Sequence, residues 1–157
     1  PYELTGRDSA RMVVSVAGLT SASLNIPLTD SAPGLFTLDG VHAAAVNQDS
    51  TLNSADNPAA VGSVIQLYLT GQGFLNSKVD TGALAPSTPP FPGPVERVGV
   101  NMDNLQAKVD FVGLAPGFVG LTQVNAEIPS GITPSNHVRV VVGVGFNQSA
   151  PAMIAVK

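Results

Sequence analysis

The most regular alternation in the chain runs through Val138, Val140, Val142 and Val144, with Arg139, Val141 and Gly143 between them. A period of two puts successive side chains on opposite faces of a strand, so this stretch predicts a strand with one valine-lined face. Ile65, Leu67 and Leu69 alternate in the same way with Gln66, Tyr68 and Thr70, and Val124, Ala126 and Ile128 alternate with Gln123, Asn125 and Glu127. Shorter alternations occur at Val98, Val100 and Met102, at Ala107, Val109 and Phe111, and at Ala152, Ile154 and Val156. Turn-forming residues separate them: Asp103-Asn104, Ala115-Pro116-Gly117 and the stretch Pro129 to Asn136. Gly71 and Gly73 end the strand that closes at Thr70.

The first third of the chain reads the same way. Met12, Val14 and Val16 share a parity, Ala17 to Ser21 is turn-like, and Leu24, Ile26 and Leu28 alternate again, which predicts a β-hairpin with Pro27 at an edge or bulge. After the turn Ala32-Pro33-Gly34, two apolar runs (Leu35 to Leu38 and Val41 to Asn47) flank Asp39-Gly40, a strong hairpin signal. Ala43-Ala44-Ala45 is too short for a helix and is read as strand. Gln48 to Pro58 is polar and reads as a surface loop. Leu75 to Pro94 carries Pro86, Pro89, Pro90, Pro92 and Pro94, which no central strand tolerates. It reads as a stiff crossover between sheets, with a ligand-contacting loop as the alternative. Short strands at this spacing predict an all-β sandwich or barrel.

The chain also repeats itself. Residues from Pro129 align without a gap on those from Pro1: Thr133 falls on Thr5, Arg139 on Arg11, Val141, Val142 and Val144 on Val13, Val14 and Val16, Ser149-Ala150 on Ser21-Ala22, and Ile154 on Ile26. Self-similarity at a fixed offset is the mark of tandem modules. The expectation is that residues 1–57 comprise the trailing hairpin of a preceding module plus a junction hairpin, with Ala32 to Asn57 bridging to a complete module at 58–157. A sheet holding residues 1–28 with no connection to residues 31–57 would end the junction reading.

Composition narrows the function. Charged residues make up 11% of the chain, against about 25% in ordinary soluble domains. The surface therefore relies on Ser, Thr, Asn, Gln and Gly, as in extracellular modules. Net charge is −4 and the seven basic residues are scattered, which argues against nucleic acid as a partner. No apolar run is long enough to span a bilayer, so no membrane insertion is expected. Cysteine is absent, excluding disulfides, thiolate metal sites and a cysteine nucleophile. With no signal peptide at its start and Pro1 in first place, the chain is read as a processed or excised segment.

Candidate chemistry is sparse. No G-x-S-x-G elbow is present. His42 and His137 lie far apart in sequence, His137 reads as an exposed residue ahead of a strand, and no shared metal site is expected of them. Asn47, Asp49, Thr51, Asn53 and Asp56 place oxygen ligands in a calcium-loop rhythm, but Ser54 stands where the loop needs glycine and Ala60 where it needs the closing glutamate. A polar loop between strands is the preferred reading. Asp103, Asp110 and Glu127 are read as solvated surface acids rather than a glycosidase pair. Aromatic platforms for sugars are limited to Tyr2 and Tyr68 among Trp and Tyr, and Asn147-Gln148-Ser149 is an incidental glycosylation sequon. No catalytic, cofactor-binding or metal-binding residue is assigned, and no cofactor is expected.

Residues 62–74, Gly-Ser-Val-Ile-Gln-Leu-Tyr-Leu-Thr-Gly-Gln-Gly-Phe, resemble the opening of an IPT/TIG domain, an immunoglobulin-like fold in which a strand ends in G-x-G-F. Val98 to Met102, Ala107 to Phe111, Val124 to Pro129 and Val138 to Val144 are similar to that family's later strands, in order. Over nearly the whole chain, Ala32-Pro-Gly-Leu-Phe36, Ala45 to Ser54, Asn57-Pro-Ala-Ala60, Leu69 to Gly73, Leu114 to Gly117 and Gln123 to Pro129 resemble an uncharacterised C-terminal domain of secreted acidobacterial (Solibacter-type) proteins. Phe74-Leu75 departs from the more polar residues of that pattern. The resemblance implies an immunoglobulin-like Greek-key β-sandwich preceded by an additional N-terminal hairpin. It also implies a non-catalytic extracellular or cell-surface module: a spacer, anchor or adhesion-type interaction domain of a larger exported bacterial protein. Its expected partners are neighbouring domains of the same polypeptide and protein or polysaccharide at the cell surface. The alternative is a carbohydrate-binding module, with or without calcium. A hydrolase would require two acids or a Ser/His pair converging in a deep pocket.

Overall fold

In the computed structural model, which describes residues 2–4 and 6–157, the alternating segments form strands, and among the described residues there is no α-helix. After a short 3₁₀ turn at Tyr2–Leu4, the first hairpin contains β1 (Ser9–Met12), β2 (Ser15–Val16), β3 (Leu19–Thr20) and β4 (Leu24–Pro27). Then come β5 (Gly34–Leu35), β6 (Ala45–Val46), β7 (Val64–Thr70), β8 (Val98–Met102), β9 (Leu105–Leu114), β10 (Thr122–Glu127), β11 (Ser135–Val144), β12 (Asn147–Gln148) and β13 (Ala152–Val156). No helix is long and apolar enough to cross a membrane among the described residues.

Nine strands belong to one antiparallel sheet ordered β12-β11-β8-β9-β10-β7-β5, with β13 also paired to β11 and β6 to β7. β9 is the hinge of this arrangement. Its first residues pair with β8 (Ala107 opposite Val100), and the remainder pair with β10 (Val112 opposite Val124). A register shift between Asn125 and Ala126 marks the bend, as expected where a strand passes from one layer to another. The two halves share one core. Ile65, Leu67, Leu69, Val124 and Ala126 come from one side, and Val100, Met102, Val138, Val140, Val142 and Ile154 from the other. Alternation along each strand thus becomes burial along each strand, as the period of two requires.

The segment 31–57 is part of this sheet. Gly34 and Leu35 pair with Thr70 and Leu69, and Ala45 and Val46 pair with Leu67 and Gln66. The Asp39-Gly40 turn is present, with a bridge between Thr37 and Ala43. Ala43 and Ala45 lie in the core. By contrast, among the described residues β1 pairs only with β4 and β2 only with β3. Residues 9–27 therefore form a hairpin with no ladder to residues 31–57, and the junction role expected for residues 32–57 does not hold. Residues 34–35 and 45–46 pair with β7 and residues 41–43 run along β13, so the backbone of this segment is committed to the main sheet.

Two details of the sheet explain sequence features. At Gly71 and Gly73, both with φ near +75°, the chain crosses over the backbone of residues 30–33, and Ala32 N–H donates to the Gly71 carbonyl (2.9 Å). The loop 75–94 is pinned to β9 and to the turn after it: Leu114 N–H donates to the Pro92 carbonyl (2.7 Å), Phe91 meets Phe111 edge-to-face, and Ala85 N–H donates to the Phe118 carbonyl (2.8 Å). The expected crossover is thus present and covers the end of a central strand.

One core position is imperfect. Thr122 is fully buried and its Oγ1 has no hydrogen-bond partner. A buried hydroxyl without a partner carries its full desolvation cost. Thr122→Val keeps the branched shape and should raise unfolding free energy by about 1 kcal/mol in urea titrations; a loss of stability would show that the hydroxyl is bonded in solution.

Candidate functional site

The outward face of β7 and β10 carries a bonded set of polar side chains, with Phe111 of β9 beside it. The alternation that buries Leu67 and Val124 turns Gln66, Tyr68, Gln123 and Asn125 outward. Tyr68 lies opposite Gln123, and Asn125 lies between Gln66 and Phe111. Tyr68 Oη–H donates to Gln66 Oε1 (3.1 Å), and Gln123 Nε2 donates to Asn125 Oδ1 (2.8 Å). Partial burial pushes the Tyr68 phenol up, so it remains a neutral hydroxyl across the physiological range. A phenol ring beside three amides on paired strands has the donors and acceptors that recognise hydroxyl-rich ligands. The sequence pointed to Tyr68 alone; the amides were missed because their alternation read only as solvent-facing polarity.

At the end of this face Lys108 gathers two of the expected surface acids. Its Nζ lies 2.7 Å from Asp110 and 3.7 Å from Glu127, and Asp110 raises the ammonium pKa. Asp103 stands apart, where its Oδ1 accepts the Arg139 N–H (2.9 Å). The three acids do not converge.

A cleft of about 750 Å³ opens between the first hairpin's base and the main sheet. Arg7, Asp8, Asp30, Gln72, Phe74 and Asp80 are among its lining residues. Its wall is tied together by Tyr2–Leu4: Tyr2 N–H donates to Thr81 Oγ1 (3.1 Å), Thr81 Oγ1–H to Glu3 Oε2 (2.8 Å), and the buried Gln72 amide to Tyr2 Oη (3.4 Å). Burial pushes the Tyr2 phenol up, and the Gln72 contact opposes it.

The histidines lie close together. Residues 41–43 run parallel to β13, with His42 bridged to Met153, while His137 lies within β11 rather than ahead of it. β11 and β13 are paired, and so the two rings come within 5.9 Å. Sequence distance concealed this meeting because it depends on a parallel contact that no local pattern announces. His42 Nδ1 lies 2.7 Å from Asp39 Oδ2; the carboxylate must accept, which places the imidazole proton on Nδ1. Asp39 Oδ1 also accepts the N–H groups of Val41 (2.9 Å) and His42 (2.7 Å). Among the described residues no group of three or more His, Asp or Glu is placed to hold a metal ion.

The His42 bonds first, then those from Val41, hold the Asp39 carboxyl far below the usual carboxylate range. A depressed folded-state pKa makes a contribution that is complete above the unfolded value, near 3.9, and is lost as pH falls through the lower folded one. The Asp39 turn should therefore keep its structure down to pH 4 and loosen only below it. NMR titration of the His42 amide should show this step, and Asp39→Asn should abolish it; a step centred at the ordinary Asp value would contradict the geometry.

In the loop 47–57 the side chains of Asn47, Asp49, Thr51 and Asn53 bond to one another, to the loop backbone or to β13. Asp49 Oδ1 accepts from the Thr51 N–H (3.1 Å) and hydroxyl (2.6 Å), which hold its carboxyl below the usual range. Asn47 and Asn53 are buried. Asn47 Nδ2 donates to the Asn57 carbonyl (2.8 Å), and Asn53 Nδ2 to Asn47 Oδ1 (2.9 Å). Asn53 also grips Ala155 of β13 from both sides, accepting its N–H and donating to its carbonyl, each at 2.8 Å. The calcium-loop rhythm is here a bracket that fastens the loop to the last strand.

Taken together, the ladders and faces define an all-β protein whose organised surfaces are a polar sheet face and an uncovered hairpin. Comparison with family models, with curated proteins and with solved structures returned no match.

Proposed function

We propose that the chain belongs to an array of immunoglobulin-like Greek-key sandwiches of the IPT/TIG kind. In this reading it is a non-catalytic structural or interaction module of a larger exported bacterial protein, working outside the cell or at its surface against neighbouring domains of the same polypeptide. The observation that carries the reading is the recurrence of one hairpin, in sequence and in strand register, at both ends of the chain. The low charge content and Ser/Asn/Gln-rich surface support the extracellular setting. A glycan array and a calcium titration by calorimetry test it. Both should be blank for the 157-residue chain, and saturable binding in either would overturn it.

The second reading, a carbohydrate-binding module, is favoured by the Tyr68–Gln66–Gln123–Asn125 face. Sugar recognition would use stacking on the tyrosine ring face and the amides for hydroxyl groups. If the array reports a glycan, Tyr68→Ala should lower the affinity at least about tenfold. A calcium-dependent signal would implicate the loop 47–56; a calcium-independent one would confine recognition to the sheet face.

A further inference from the structure

The two hairpins share their hydrogen bonds as well as their sequence. Ser21 N–H donates to the Val14 carbonyl (2.9 Å), and Val14 N–H to Ser21 Oγ (3.1 Å). At an offset of 128, Ser149 N–H donates to the Val142 carbonyl (2.9 Å), and Val142 N–H to Ser149 Oγ (3.1 Å). The pairs Ala10–Ile26, Arg11–Asn25 and Met12–Leu24 recur as Val138–Ile154, Arg139–Met153 and Val140–Ala152. Ser15–Thr20 and Val16–Leu19 recur as Gly143–Gln148 and Val144–Asn147.

The surroundings differ. In the second copy β8 lies along the β11 edge, residues 41–43 and 59–61 lie along the β13 edge, and the core lies under the inward valines. In the first copy, among the described residues, neither edge has a strand paired to it. Met12, Val14, Val16 and Leu24 are 44%, 51%, 67% and 58% exposed, whereas their counterparts Val140, Val142, Val144 and Ala152 are at most 1% exposed. A hairpin of this kind is marginal alone in water, and its open edge and apolar face are an invitation to pairing.

We infer that residues 9–28 are the closing hairpin of a second module of this fold, and that the counterpart of residues 30–128 in such a module docks on it. The repeat unit is then 30–157, beginning at Asp30 rather than at 58. The covered copy specifies the occupant. On β11 the groups facing β8 belong to odd-numbered residues: the Arg139 carbonyl accepts the Asp103 N–H (2.9 Å), and Gly145 N–H donates to the Arg97 carbonyl (3.0 Å). The equivalent groups at Arg11, Val13, Ser15 and Ala17 should accept an antiparallel strand patterned as Val98–Met102, with its apolar side chains meeting Met12, Val14 and Val16. This goes beyond the interaction-module reading: glycan or calcium binding would overturn that reading and leave this one standing.

The test joins residues 30–128 ahead of the full 157-residue chain, so that residues 1–29 follow residue 128 as residues 129–157 do. Hydrogen exchange is compared between the two proteins. The amides of Arg11, Val13 and Ser15 should slow by roughly a hundredfold or more in the longer protein, and the added segment should unfold cooperatively with them. Val14→Asp in the longer protein should erase that protection and leave the 30–157 unit's own transition in place. Unchanged exchange at the three amides, or an added segment that stays unfolded beside an intact 30–157 unit, would overturn the inference. So would protection that appears in the 157-residue chain alone as its concentration rises, because the occupant would then be a second copy pairing edge to edge.

Discussion

Gly71→Ala should cost about 3 kcal/mol of unfolding free energy, corresponding to a fall in Tm of roughly 10 °C. Two effects combine there. The residue has φ +75°, a left-handed conformation that costs an L side chain about 1–2 kcal/mol. A Cβ at this position would also intrude on the Ala32 carbonyl, lying 2.6 Å from its carbon. The crossing segment must move, and the bond from Ala32 N–H to the Gly71 carbonyl is strained or lost, for about another 1 kcal/mol. Gly82→Ala separates the two effects. Its φ is +82° but nothing lies within 4 Å of the added carbon, so only the backbone cost of about 1 kcal/mol should appear. Equal losses at the two positions, read by thermal unfolding, would show that the crossing at residues 30–33 does not constrain the fold.

Asn53→Ala should be similarly damaging, at about 3 kcal/mol. The substitution removes the acceptor of the Ala155 N–H (2.8 Å), one partner of Asn47, and one of two donors to the Ala155 carbonyl, which keeps the Ala59 N–H (2.9 Å). All of these groups are buried, and a buried polar group deprived of its partner costs more than the bond itself contributed. Asn53→Asp restores the acceptor for the Ala155 N–H but not the donor to its carbonyl, and a charge is then buried. It should be no better tolerated than alanine. Urea unfolding checks both variants; a loss below about 1 kcal/mol for alanine would mean that water replaces the bracket.

The strands with strong alternation are legible in the sequence alone. At 64–70 and 138–144 one face must be apolar, and those residues are the core. The hairpin at 9–28 was legible for the same reason, and its kinship with 137–156 showed in residues such as Arg11 and Arg139 or Ser21 and Ser149. Its surroundings were not legible. Val14 and Val142 carry the same side chain and the same bonds, yet one is exposed and the other buried, so no local pattern distinguishes them. The role of residues 31–57 was misjudged because Leu35, Ala43 and Ala45 show that they need burial without naming β7 as the strand that provides it. Gly71 and Gly73 were visible as a break, but the reason for them, a chain crossing at 30–33, is long-range. The same holds for His42 and His137, brought together by a parallel bridge, and for Asn53, whose partner in β13 lies 102 positions away.

The same hairpin is built twice in the same register. Solution NMR of the 157-residue chain tests it directly through cross-strand Hα–Hα contacts at the two non-hydrogen-bonded pairs. Contacts between Arg11 and Asn25 and between Arg139 and Met153 are predicted. A first hairpin whose contacts are shifted by one residue, or one that shows none, would contradict it.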